Sequence, residues 1–352
     1  MQLALFMRNV GPETLIKASR NKLVMATHES MPILNTPLVL NVSIASGYVR
    51  SNCERGEDLM RHFGIILIML SAFFWAVSGG ISTFLMNHGH SPFIIAFFRG
   101  FLALPFFLAW SARMPLRRVF QWNKWSWLAG AGVVGNFTFY LFSIEAAGLP
   151  IAITLMYTAP AFVLLISLLG GFEKSTLSKW LHVGAVIAGI VLLTQAYNLD
   201  NQAISLAGIV SGILSGISYT VFIFAFTLAS RTNHVGVSLL HAFLVFSLLL
   251  GIAINPIEAA QSLLSVDVGW FILLGALGAG LSFSLYLYGL RRTLPTTASL
   301  VAMIEPVTAS LIGIFIFNDY LNVVQAVGMV IILLAIAHYS FKSRGGEEFS
   351  TA

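Results

Sequence analysis

The sequence predicts an all-α integral membrane protein of ten transmembrane helices, arranged as two inverted five-helix repeats. Three observations predict it. Residues 63–341 form a succession of apolar runs near twenty residues each, the length a helix needs to cross a hydrocarbon core of ~30 Å. Lysine and arginine occupy every second connection between those runs and are missing from the others. A segment of the first half also recurs, without a gap, in the second.

Taken in order, the spans and the charges between them support one another. Span 1 (Phe63–Met86) follows Arg61, the last of seven basic residues that precede it, and ends in the uncharged-by-cations loop Asn87–Ser91. Span 2 (Pro92–Ser111) leads to Arg113, Arg117, Arg118 and Lys124, and span 3 (Trp125–Ile144) to Glu145–Pro150. Span 4 (Ile151–Gly170) leads to Lys174 and Lys179, and span 5 (Trp180–Ala196) to Tyr197–Ala203. Span 6 (Ile204–Ala229) leads to Arg231, span 7 (Val235–Ile254) to Asn255–Asp267, and span 8 (Val268–Leu290) to Arg291 and Arg292. Span 9 (Thr296–Phe317) leads to Asn318–Asn322, and span 10 (Val323–Phe341) to Lys342 and Arg344. Basic residues stay on the cytoplasmic side, so both termini are expected in the cytoplasm, which requires an even number of spans. The exception is Arg99, inside span 2.

Composition excludes several classes. The chain is 57% hydrophobic and 9% charged, with a mean hydropathy of +0.86, against ~25% charged residues in a soluble domain. There is too little polar surface to cover a water-soluble globule. The net charge of +5 is spread over short loops, a topology signal and not a nucleic-acid footprint. The single Cys53 excludes an intrachain disulfide and a cysteine metal cage. No phosphate-binding G-x-x-x-x-G-K-[ST] loop occurs, which argues against an ATP-driven pump. No metal, cofactor or catalytic residue is expected.

Residues 1–59 are mixed in polarity and hold no run long enough to span. Two readings are open: a disordered cytoplasmic tail, or translation that begins at Met60. The second is preferred, because Glu54-Arg55-Gly56-Glu57 can be encoded by a purine-rich tract just upstream of Met60, where a bacterial ribosome-binding site belongs. The expected organisation is a tail 1–59, repeats 60–200 and 201–341, and a cytoplasmic tail 342–352.

The duplication is carried by Leu128–Pro150 and Leu273–Pro295, in which Leu128/Leu273, Gly130/Gly275, Ala131/Ala276, Gly135/Gly280, Leu149/Leu294 and Pro150/Pro295 are identical. Ala159-Pro160 in span 4 matches Glu305-Pro306 in span 9, and Ser71 to Trp75 in span 1 matches Ser215 to Tyr219 in span 6. An odd number of spans per repeat inserts the second half upside down, and inverted repeats of this kind build a site near the midplane. Pro160 and Pro306 each remove a backbone donor in mid-span and point to that site, although a purely structural kink is an equal reading. Gly208, Gly212 and Gly216 form a small-residue ridge for helix packing.

Ionisable groups at membrane depth are candidates for function. Arg99 is read either as an anchor for a substrate carboxylate or phosphate, or as a structural partner of helix-end carbonyls or of Glu145; its approximate counterpart is His241. Glu305 is read as a proton or cation site, as the partner of a substrate ammonium, or as a neutral hydrogen-bonding carboxyl. His182 and His338 are expected at the interface. His88-Gly89-His90 lacks the further ligands a metal needs. Trp75, Tyr140, Tyr157, Tyr219, Tyr286, Asn136, Ser78 and Thr308 are deep enough to line an amphipathic cavity, though many of the aromatics are equally read as packing.

Two five-helix repeats, short loops, Trp75, Arg99 and the prolines of spans 4 and 9 resemble the drug/metabolite transporter superfamily, and residues 63–341 resemble its EamA-type transporters of bacterial inner membranes. The resemblance implies a basket of ten helices around a central cavity, and export or exchange of amino acids, their derivatives or other metabolites. It also places an acidic residue at the end of the proline-containing helix, here Glu173; the second repeat has Asn318-Asp319 nearby instead. The expected function is therefore a secondary transporter, exporter or exchanger, of a small metabolite. Its partners are that substrate and the lipid bilayer, with protons as a candidate coupling ion and a monomer or a homodimer both fitting. A membrane-embedded enzyme and a non-transporting scaffold or sensor are the rival classes; no H-E-x-x-H or G-x-S-x-G motif serves the first.

Overall fold

The structure, a computed structural model, describes residues 37–174, 176–198 and 205–342, with side chains from 60 to 341 within them. The chain divides into two compact units at Gly56/Glu57, and the architecture described here is that of the second. Residues 1–36 and 343–352 lie outside the described residues, with most of the tail 1–59, and a start at Met60 is not tested by the structure. From Pro37 the backbone is helical as far as Asn87.

Among the described residues ten helices are long and apolar enough to cross a membrane: Met60–Asn87, Pro92–Ser111, Lys124–Ala147, Leu149–Leu169, Leu177–Thr194, Leu206–Thr232, Val235–Ala253, Val268–Leu290, Pro295–Phe317 and Val323–Phe341. They are the ten spans expected from the sequence. Their ends are set by local chemistry. Ser91, Asn123, Thr176, Ser205 and His234 cap the N-termini of spans 2, 3, 5, 6 and 7 with their side chains, each accepting from an amide that has no partner inside the helix.

The packing follows the inverted repeat. Span 3 lies along span 6, where Gly132 lets the backbone at Phe222 approach so closely that a Cβ would stand 2.9 Å from its amide nitrogen. The equivalent pair is span 8 along span 1, with Gly289 against Ile68 and the carbonyl of Gly64. Span 7 packs on spans 2 and 3, as span 2 packs on spans 7 and 8. Spans 5 and 10 pair with each other, their backbones meeting at Gly189 and Gly328. In the absence of a hydrophobic drive between helices in lipid, such close contact is what holds spans together. The ridge of span 6 behaves as expected: Gly208 faces Ala146 and Ala147, while Gly212 and Gly216 face Leu155.

Four spans are interrupted. Span 4 runs as Leu149–Met156 and Ala159–Leu169, and span 9 as Pro295–Ala302 and Ile304–Phe317. The breaks fall just ahead of Pro160 and Pro306, which cannot donate to the carbonyl four residues back. Two interruptions were not expected. Span 2 breaks between Phe101 and Leu104, ahead of Pro105, and span 8 contains a π-helical segment, Ala276–Leu281. The connection between spans 7 and 8 carries a short helix, Pro256–Leu263, started by Pro256 and capped by Asn255.

The two ends of the bundle differ. The basic end carries the lysine and arginine loops; the charge-poor end carries the others. At the charge-poor end His88 Nδ1 lies 2.9 Å from Asp267 Oδ1, and His90 Nε2 lies 3.2 Å from Asp267 Oδ2. The two imidazoles thus fasten the first connection to the start of span 8. Near the basic end His182 Nε2 lies 2.8 Å from His338 Nδ1, joining spans 5 and 10. Lys179, counted among the loop charges, is instead buried at 2% exposure and paired with Glu173.

Candidate functional site

The breaks in spans 4 and 9 and residues of spans 1, 2, 3 and 6 surround one cavity of about 850 Å³. It begins at the middle of the bundle and runs to the charge-poor end, where Met86, Leu149, Thr194 and Phe317 stand at its mouth. Of the side chains expected to line a cavity, Trp75, Arg99, Asn136, Tyr140, Tyr157, Tyr219, Glu305 and Pro306 do so.

Arg99 is held by one atom. Its Nε donates to the carbonyl of Gly278 at 3.0 Å, within the π-helical segment, where the regular carbonyl ladder is rearranged. The guanidinium lies over the ring of Phe137, 5.2 Å from its centroid, a cation–π arrangement. Its two Nη groups have no hydrogen-bond partner among the described residues. The partner is therefore a helix carbonyl and not Glu145. Glu305 follows the break at Met303, in the first turn of Ile304–Phe317. Its carboxyl lies within electrostatic reach of Arg99 and is met by the hydroxyl side of Tyr157. A fixed cation and a carboxyl group thus face one cavity between aromatic walls. Asn136 is partly committed: its Nδ2 donates to Ser215 O at 3.2 Å and Ser215 Oγ at 3.1 Å, tying span 3 to span 6.

The floor is aromatic. Trp75 packs on Phe283 and Tyr286 at centroid distances of 5.1 and 5.0 Å. Trp75 Nε1, Tyr219 Oη and Tyr286 Oη are buried there without a hydrogen-bond partner among the described residues.

Five expected site residues are placed elsewhere. Tyr286 is fully buried behind Trp75 and closes the floor from below. Ser78 is buried with its Oγ on Trp75 O at 2.7 Å, and Thr308 Oγ1 bonds Ile304 O at 3.0 Å; both satisfy their own helix, as hydroxyls in mid-helix do. Pro160 is buried outside the lining and acts through the break it makes. His241 is not brought to the cavity. Its Nε2 lies 2.8 Å from the carbonyl of Val119 in the loop turn Leu116–Val119, because span 7 runs the opposite way to span 2 and carries it toward the basic end. Phe137, Phe222, Phe283, Asp319 and Gln325 line the cavity without having been expected. In an apolar sequence an aromatic that lines a cavity reads like one that packs.

The sequence profile of the EamA-like transporter family matches residues 62–195 and 204–341, one copy for each half. A protein of Archaeoglobus fulgidus named "Uncharacterized transporter" is 30% identical over 282 residues, covering 78% of this chain and 95% of that protein. The Escherichia coli "Uncharacterized inner membrane transporter YedA" is 26% identical over 200 residues, 55% of this chain and 64% of its own length. A crystal structure superposes with a TM-score of 0.67 at 16% identity, over 81% of this chain and all of the other, and supports the fold alone. Two tandem family domains, ten spans and a central cavity agree: the chain belongs to the EamA-like transporter family and is a multi-pass membrane transporter.

Proposed function

We propose that the protein is a secondary transporter, an exporter or exchanger, of a small zwitterionic metabolite such as an amino acid or a derivative, working by alternating access. The observation that carries this reading is the pair Arg99 and Glu305 on one cavity. A guanidinium fork with both Nη groups open suits a carboxylate, which it binds bidentately. A carboxylate across an aromatic-walled space suits an ammonium, aided by the ring faces. The volume of about 850 Å³ falls in the ~300–1,000 Å³ range of small-molecule sites. Placed by its charges, the basic end is cytoplasmic, with both termini, and the cavity opens outward. The relative named as an inner membrane transporter supports a bacterial inner membrane as the location. In this reading the repeats are 60–200 and 201–341, and each swings about the broken spans.

A thermal-shift series tests the substrate class. The purified protein is heated with amino acids, with their amides and with the matching amines. Ligand at 100 times its dissociation constant adds ~2.7 kcal/mol to the folded state. Compounds with both charged groups should raise the unfolding temperature, and those lacking the carboxylate should not. The stabilising compounds should then exchange in proteoliposomes. Stabilisation by the amines alone would remove Arg99 from the site, and absence of exchange by any stabilising compound would remove the transport reading.

A further inference from the structure

Where the cavity is closed, at the basic end, a single carboxylate joins the two repeats. Glu173 Oε1 accepts from the amide of Thr296 at 3.2 Å, and Glu173 Oε2 accepts from Lys179 Nζ at 2.9 Å. Thr296 stands in the first turn of Pro295–Ala302, where amides have no carbonyl within the helix and the helix dipole favours an anion. Thr296 Oγ1 also reaches Ser167 Oγ at 3.4 Å. The end of span 4 is thereby bolted to the start of span 9.

The same parts exist at the open end, unbolted. Pro306 lies 146 residues after Pro160, and the same step carries Ser167 to Gly313, Glu173 to Asp319 and Lys179 to Gln325. Local backbone geometry agrees: Glu173 N donates to Ser167 O at 3.3 Å, and Asp319 N donates to Gly313 O at 3.0 Å, each six residues back. The helix start opposite Glu173 is Pro295-Thr296, and its counterpart is Pro150-Ile151, in the first turn of Leu149–Met156. Asp319, Gln325, Leu149 and Pro150 all line the open mouth, and Asp319 is exposed.

We infer that Asp319 is the latch of the charge-poor end: when that end closes, its carboxylate takes the amide of Ile151 as Glu173 takes that of Thr296. The inference rests on the alternating-access reading above. The two latches are unequal. Gln325 stands where Lys179 supplies a charge, and it is occupied with the carbonyl of Leu193 at 3.2 Å. Aspartate is also one methylene shorter than glutamate. The closed mouth therefore has an amide–carboxylate bond without the ion pair, and its latch is the weaker of the two.

The experiment needs no substrate. The full chain, with Cys53→Ser and a reporter Thr83→Cys at the mouth, is reconstituted in vesicles and labelled with a bulky membrane-impermeant maleimide. Glu173→Leu with Lys179→Met removes the acceptor and the cation together, so the existing latch is broken without leaving a buried ion unpaired. Labelling should slow about tenfold as the mouth closes. Adding Asp319→Ala should restore the rate to within about twofold of the parent, and adding Asp319→Glu instead should keep it slow. Thermal unfolding checks that every variant is folded. A second measurement keeps Asp319 and joins Leu149→Cys and Phe317→Cys, which stand at the same mouth: an oxidant should cross-link them faster in the latch-broken protein. If the mouth closes but Asp319→Ala does not reopen it, this inference fails and alternating access stands. If labelling never slows and no cross-link forms, both fail.

Discussion

Alanine at Gly130 should separate span 3 from span 7. A Cβ there would lie 2.2 Å from the carbonyl oxygen of Ala242 and 2.9 Å from Val245 Cβ. An ordinary carbon–oxygen contact is ~3.3 Å or more, so the two backbones must part by about 1 Å. Neither obstacle is the free end of a flexible side chain. Overpacking of this kind costs ~1–3 kcal/mol. The control is Gly184→Ala, also in mid-span, where nothing lies within 4 Å of the new Cβ. Both variants gain the same ~0.5–1 kcal/mol of helix preference over glycine, so it cancels between them. Gly130→Ala should therefore be less stable than Gly184→Ala by the overpacking alone, ~1–3 kcal/mol, or roughly 5- to 150-fold in the unfolding equilibrium. Titration with sodium dodecyl sulfate in mixed micelles, followed by tryptophan fluorescence, measures the difference. Equal stability of the two alanine variants would refute the close approach of spans 3 and 7.

Three further outcomes are expected. Arg99→Lys keeps the charge but loses the fork, so the ligand-induced thermal shift of a carboxylate compound should require ~10–100-fold more ligand, whereas an unchanged dose response would show that the Nη groups are not used. Asp267 is buried, which acts to raise its pKa, but its hydrogen bonds with His88 and His90 prevail and hold it below the usual carboxylate range. A depressed folded-state pKa gives stability above the unfolded value of ~3.9 that is lost as pH falls through the folded one; Asp267→Asn should thus unfold earlier than the parent at neutral pH, with a gap that closes in acid, and a gap that persists in acid would contradict this. A topology reporter inserted at Gly89, a loop position with open space around it, should be active only in its external form and one after Gly345 only in its cytoplasmic form; the reverse pattern would invert the orientation proposed here.

The sequence by itself determined the class, the span count and the repeat. Those are one-dimensional properties: a run of apolar residues must be a helix if it lies in lipid, and a charge bias or a recurring segment is visible without folding. The prolines also announced where spans 4 and 9 break, because the missing donor is a property of the residue. The tertiary structure decided what each polar or aromatic residue meets. Nothing along the chain distinguishes Trp75, which lines the cavity, from Tyr286 behind it, or shows that His241 fastens a loop while Arg99 faces the cavity. Lys179 reads as one more loop charge until the start of span 9 is brought against Glu173. The reason is physical. In hydrocarbon, packing depends on small residues and on hydrogen bonds between distant helices, and the partner of each group lies up to 179 residues away, as Gly278 does from Arg99.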